Sequence, residues 1–112
     1  MGQLFFKKPF QDAIRAGRKS TTIRRWDKPA FKAGQQVFSP GLGWLSIESI
    51  DIVGLDGLDE ADAIADGFQN ATELRKLLKS LYPHYGTDGK QWFRVRFTFN
   101  EPLVKTPQEE LS

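Results

Sequence analysis

The run Gly17-Arg18-Lys19-Ser20-Thr21-Thr22-Ile23-Arg24-Arg25-Trp26 gathers the chemically useful groups of the chain into one short stretch. A threonine hydroxyl such as Thr22 attacks an amide carbonyl only when a nearby base takes its proton. Lys19 stands among Arg18, Arg24 and Arg25, and crowded like charges lower an ammonium pKa, which frees some neutral amine for that role. The planar fork of Arg24 suits a negative oxygen or the edge of a base. Arg18 and Arg25 suit phosphate or sugar contacts, which need charge more than placement. Trp26, directly after the basic stretch, suits stacking on a base. Each residue also has a plainer use: Thr22 as a strand residue, Lys19, Arg18 and Arg25 as solvated charges, Trp26 as core.

Composition narrows the setting. At 112 residues the chain fits a single domain with one real core. It contains no cysteine and one histidine, His84, so disulfides are excluded and a metal of the usual ligand types has almost nothing to bind it. No cofactor is called for. Net charge is +2, but residues 1–32 carry nine Lys/Arg against two acids (+7) and residues 33–112 carry seven against twelve (−5). A basic end on an otherwise acidic chain draws phosphate to one surface and repels it elsewhere. The N-terminus has no apolar h-region followed by a small-residue cleavage site, and no apolar run approaches the roughly 20 residues that span a bilayer. The expectation is a cytoplasmic protein without a membrane partner.

The elements that position these residues follow from pattern. Leu4–Phe6 reads as a strand. Pro9–Ala16 reads as a short helix, with Pro9 in the first turn, Phe10 and Ile14 four apart on one face, and Gly17 as the cap that ends it. Thr21-Thr22-Ile23 favours a strand entered through Gly17. A second strand falls at Gln36–Phe38. Pro40-Gly41-Leu42-Gly43 turns the chain into a long strand, Trp44–Val53. There Leu45 and Ile47 keep one phase while Ile50 and Ile52 take the other, which implies a bulge. Asp59 with Asp62 and Asn70 with Glu73 resemble helix caps. Leu74, Leu77, Leu78 and Leu81 trace an i, i+3, i+4, i+7 stripe that reads as core. In the last strand, Gln91–Phe99, one face holds Phe93, Val95, Phe97 and Phe99, the other Trp92, Arg94, Arg96 and Thr98. Tyr82 and Tyr85 flank a loop able to cover a cleft, and His84 reads as an exposed loop residue. The pattern divides the chain into a domain over residues 1–100 and a tail over 101–112. Strands around a helical middle predict a mixed α/β (α+β) fold whose few strands close toward a barrel to hide their edges.

Gly17, Lys19, Thr22 and Arg24 match the G-x-K-x-x-T-x-R signature of the ASCH family, a branch of the PUA-like barrel superfamily. Three further stretches agree in order. Phe10-Gln11-Asp12-Ala13-Ile14 resembles the helix before the signature, Ala63-Ile64-Ala65-Asp66-Gly67-Phe68 the family's A-x-x-E-G-F block, and Trp92-Phe93-Arg94-Val95-Arg96-Phe97 its closing strand. The resemblance runs from Leu4 to Phe99. It implies a β-barrel flanked by short helices, with a cleft beside the signature loop, and a partner that is RNA or a modified nucleoside or nucleotide.

One small bacterial branch of that family consists of N(4)-acetylcytidine amidohydrolases. In that branch the positions of Lys19 and Thr22 supply the activating amine and the nucleophilic hydroxyl, and a glutamate completes the site. Here that position is Asp66, one methylene shorter, and proton transfer needs heavy atoms within about 3 Å. The resemblance thus implies a metal-independent amidohydrolase with Lys19, Thr22 and Asp66 as catalytic residues and Arg18, Arg24, Arg25 and Trp26 as ligand-binding ones. A non-catalytic RNA-binding module and a single-stranded RNA nuclease stay open beside it, as does the oligomeric state.

Overall fold

Helix α1 spans Lys8–Arg15 in the computed structural model, which describes residues 3–100. Pro9 lies in its first turn, where a missing N–H leaves no bond unmade. Gly17 follows the Ala16 cap with φ +81°, a left-handed turn that a side chain resists and glycine accepts. That turn delivers the chain into β1, Thr21–Trp26. Strands β2 (Gln36–Ser39), β3 (Gly43–Val53) and β4 (Gln91–Asn100) complete one antiparallel sheet in the order β1-β4-β3-β2. The sheet curls into a half-barrel, and the short helices pack around it. The expected first strand, Leu4–Phe6, is instead an extended segment. It touches β2 through a single parallel bridge, Gln3 to Phe38, and a bond from the Leu4 N–H to the Phe38 carbonyl.

The phase change in β3 has the predicted cause. Pairing with β4 shifts register between Ile47 and Ser49, and the extra residue, Glu48, keeps Ile50 on the side of Leu45 and Ile47. All three then pack with Leu4, Val37, Val95 and Phe97 in the larger core. Ile52, beyond them, is exposed.

Helix α2 spans Glu60–Ala65 behind a complete Asp59/Asp62 capping box, and α3 spans Ala71–Leu81, where the Asn70 side chain accepts from the Glu73 N–H. Both helices pack on the opposite side of the sheet, over Ile23 and Trp92, and form a second core with Leu55, Leu58, Leu74 and Leu78. The Trp92 face of β4 is therefore covered at this end, while Arg96 and Thr98 farther along it are exposed. The leucine stripe divides as well: Leu74 and Leu78 are core, but Leu81 is exposed and Leu77 half-buried. Among the described residues no helix is long and apolar enough to cross a membrane. The expected tail, 101–112, lies outside the described residues.

Leu45 has no exposed surface and sits in the larger core. Leu45→Ala is expected to lower unfolding free energy by about 2–5 kcal/mol, measured by urea denaturation.

Candidate active site

Lys19 and Asp66, 47 residues apart in sequence, meet inside the protein. The Lys19 Nζ lies 3.1 Å from Asp66 Oδ2 and donates to the Asp66 backbone carbonyl at 2.8 Å. Only 5% of Lys19 and 4% of Asp66 is exposed. Backbone bonds enforce this meeting. The Gly17 turn ties the Arg18 and Lys19 N–H groups to the Ala13 carbonyl, and the Ser20 N–H donates to the Ala65 carbonyl at 2.7 Å. The start of β1 is thus fixed to the end of α2, where Asp66 is the cap residue. From this position the short aspartate side chain reaches the Lys19 amine. The Lys19 stem also packs over Gly67, where a built Cβ would lie 3.5 Å from the Lys19 Cβ.

Thr21, which the sequence reading passed over, holds the other carboxylate oxygen: its hydroxyl donates to Asp66 Oδ1 at 3.1 Å. Strand alternation sends Thr22 the other way, toward Arg24, whose Nε donates to the Thr22 Oγ1 at 2.9 Å. Arg24 Nη2 donates to the Phe5 carbonyl at 2.8 Å, and its guanidinium stacks 5.2 Å from the Phe6 ring centre.

Lys19, Thr22, Arg24 and Asp66 line one cleft of about 490 Å³. Its walls are apolar. Phe5, Phe6, Pro9 and Phe10 line it from the N-terminal segment and α1, and Leu77, Leu78, Leu81 and Tyr82 from α3 and its end, together with Ile23 and Lys7. Residues from both faces of β1 contribute, which puts the cleft at the unpaired edge of that strand.

Burial pushes the Lys19 amine below its ordinary value, against the opposing pull of the Asp66 carboxylate; the nearby Arg24 charge adds a smaller push. Burial likewise pushes the Asp66 carboxyl up, opposed by Lys19 and by the Thr21 hydrogen bond. Both shifts favour the uncharged forms. The crowding of arginines that the sequence suggested is thus not the main cause.

Three predicted ligand contacts fall away from the cleft. Arg25 is held within the fold, with Nη2 3.0 Å from Asp88 Oδ1, a further bond to the Tyr85 carbonyl, and a stack 4.7 Å over the Trp92 ring. It keeps the Asp88 carboxyl below its usual range. Trp26 packs against Phe31 and Phe93 at 5.8 and 5.7 Å between ring centres. Arg18 is exposed and does not line the cleft. Of the tyrosine pair only Tyr82 lines it, while Tyr85 packs on Trp92. His84 is exposed, as expected. The apolar walls carried no local signal, because Phe5, Leu77 and Leu81 read equally well as core.

No family model matches the chain. A curated relative, the N(4)-acetylcytidine amidohydrolase of Escherichia coli O1:K1 / APEC, is 34% identical over 99 residues, covering 83% of this chain and 90% of that protein. The crystal structure of an ASCH domain from Lactobacillus crispatus JV V101 superposes with a TM-score of 0.64 at 13% identity, over 80% of this chain and 69% of that one. An Enterococcus faecalis V583 protein of family DUF984 superposes with a TM-score of 0.65 at 16% identity, over 88% and 79%. The fold is that of an ASCH domain. The chain belongs to the ASCH family, in the branch of the N(4)-acetylcytidine amidohydrolases.

Removing one member of a buried ion pair costs about 3–5 kcal/mol, and Asp66→Asn is expected to lose that much at neutral pH in chemical denaturation. Without the carboxylate, the folded pKa of Lys19 drops further below its unfolded value of 10.5. Between the variant's folded value and the wild type's own lowered value, only the variant's folded state has shed that proton, so the deficit should shrink as pH rises across that window, which lies below 10.5. Arg25→Ala should lower the denaturation midpoint while leaving ligand binding in the cleft unchanged.

Proposed function

We propose that this protein is an amidohydrolase that releases the acyl group from an N(4)-acylated cytidine nucleoside, using only its own side chains. The observation that carries this reading is the buried contact of Lys19 Nζ with Asp66 at 3.1 Å, in the same cleft as Thr22 and Arg24. The relative's name supplies the substrate class.

The chemistry follows from the uncharged forms that burial favours. When the Lys19 amine is neutral, a form that burial favours, its lone pair accepts the Thr22 proton as Oγ1 attacks the acyl carbonyl. Arg24 holds the oxygen that becomes negative, where a fixed donor in a water-poor cleft acts most strongly. Collapse of the tetrahedral intermediate breaks the C–N bond, and the Lys19 ammonium returns a proton to the departing N4 amine. Water, deprotonated by Lys19, then cleaves the threonine ester, releases the carboxylic acid and restores the Thr22 hydroxyl. Asp66 steadies each charged form of Lys19.

A polyanion-binding surface has less behind it. Arg25 is bound to Asp88, and Trp26 is packed against the core. Of the three residues assigned to that role away from the cleft, Arg18 alone remains exposed.

Incubating pure protein with N(4)-acetylcytidine and following cytidine by chromatography should show release; none would overturn the reading. Lys19→Ala and Thr22→Ala should each lower kcat/KM by about 10²–10⁴-fold; full activity in Lys19→Ala would remove the mechanism. The rate should rise with pH through a limb lying below 10.5, since burial favours the neutral amine. Lys19→Arg, which stays protonated, should abolish the reaction.

A further inference from the structure

Arg24 is a half-buried cation that lines the cleft. The guanidinium carries five N–H donors, of which two hydrogen bonds are accounted for, to Thr22 Oγ1 and to the Phe5 carbonyl. Arg25 and Arg94 are paired with carboxylates, at 3.0 and 2.8 Å. No carboxylate lies within ion-pair distance of Arg24 among the described residues. Lys19 makes the ion pair with Asp66, so Arg24 lines the cleft half-buried and without a carboxylate of its own in contact, although the Asp66 charge lies near enough to favour its charged form. Of the four charged residues that line the cleft, Lys7, Lys19 and Arg24 are cationic and Asp66 alone is anionic.

A partly desolvated cation with no carboxylate in contact favours an anion that restores the lost interaction. The rest of the cleft selects the anion's character. Phe5, Phe10, Leu77 and Leu81 offer apolar surface next to that charge, and Phe5 and Leu81 stand exposed at 61% and 47%. A phosphate is strongly hydrated on every side and gains nothing from such walls. A small monocarboxylate with a hydrocarbon tail matches both halves, its head on the guanidinium fork and its tail along the leucines and phenylalanines.

We propose that the cleft is a binding site for aliphatic monocarboxylates, with the carboxylate on Arg24 and the tail against Phe5, Phe10, Leu77 and Leu81. This site rests on charge and shape and needs no turnover. Joined to the proposed hydrolysis, and resting on it for this consequence alone, the site would retain the released acylate and make it a competitive inhibitor.

The test is calorimetric titration of the pure full chain with acetate, butyrate and hexanoate, with butyramide and inorganic phosphate as controls. Binding should strengthen about fourfold per added methylene. Butyramide, which has the tail without the charge, should bind at least about tenfold more weakly than butyrate. Butyrate should also shift the methyl resonances of Leu77 and Leu81, and Arg24→Gln should remove its advantage over butyramide. Absent butyrate binding, equal binding of butyramide, no gain with chain length, or phosphate binding as tightly as butyrate would each overturn the site. The acid–amide comparison uses unaltered protein, so it stands even where Arg24→Gln fails to fold. Failure to hydrolyse N(4)-acetylcytidine would leave these binding results untouched, and absent carboxylate binding would leave hydrolysis intact.

Discussion

The buried contact between Lys19 and Asp66 is the constraint around which the rest of the protein is arranged. Taking two ionisable groups out of water costs several kcal/mol per ion unless geometry and added hydrogen bonds offset it. Here the offsets are specific. Lys19 meets both the Asp66 carboxylate and its backbone carbonyl, and Thr21 occupies the second carboxylate oxygen. The pair closes only because Ser20 is bonded to Ala65, so that the start of one strand and the end of a short helix share a fixed separation. A protein organised for stability alone gains little from such a pair, since well-packed apolar residues of similar volume do as well. Its cost is understandable where the two pKa values, drawn toward each other by burial, are themselves the working feature.

One short strand serves two masters by alternation. Thr21, Ile23 and Arg25 face the helical side, where they hold Asp66, fill the second core and brace Asp88 and Trp92. Thr22 and Arg24 share the other face, and their side chains are joined by a hydrogen bond. Because β1 pairs only with β4, its free edge lets both sets approach a single cleft. An edge strand usually needs protection from pairing with another chain; here the extended Phe5–Lys7 segment and the end of α3 border it, and the space left between them is the cleft.

Asp66 illustrates how backbone placement sets the reach of a short side chain. Asp66 is the cap of α2 and precedes Gly67 at φ +94°, so the chain turns away directly behind it and leaves room for the Lys19 stem. The carboxylate does not have to extend far when its own helix end is pinned to the opposing strand. An acid at a helix C-terminus is disfavoured by the dipole, and the partnership with Lys19 supplies the reason for its presence.

Local features were legible in the sequence because they depend on neighbours a few residues apart. Pro9 and Gly17 bound α1, the Asp59/Asp62 and Asn70/Glu73 pairs cap α2 and α3, and the hydrophobic phase change marks the bulge at Glu48. The signature also named Lys19, Thr22 and Arg24, which line one cleft, and family order pointed to Asp66. Tertiary structure alone decided which of the remaining charges were free. Arg25 and Asp88 are 63 residues apart in sequence and meet only after β1 docks on β4. The same docking packed Trp26 against Phe93 and left Leu77 and Leu81 facing a cleft instead of a core. Periodicity reports which side chains share a face, but burial and charge pairing depend on what another part of the chain lays against that face.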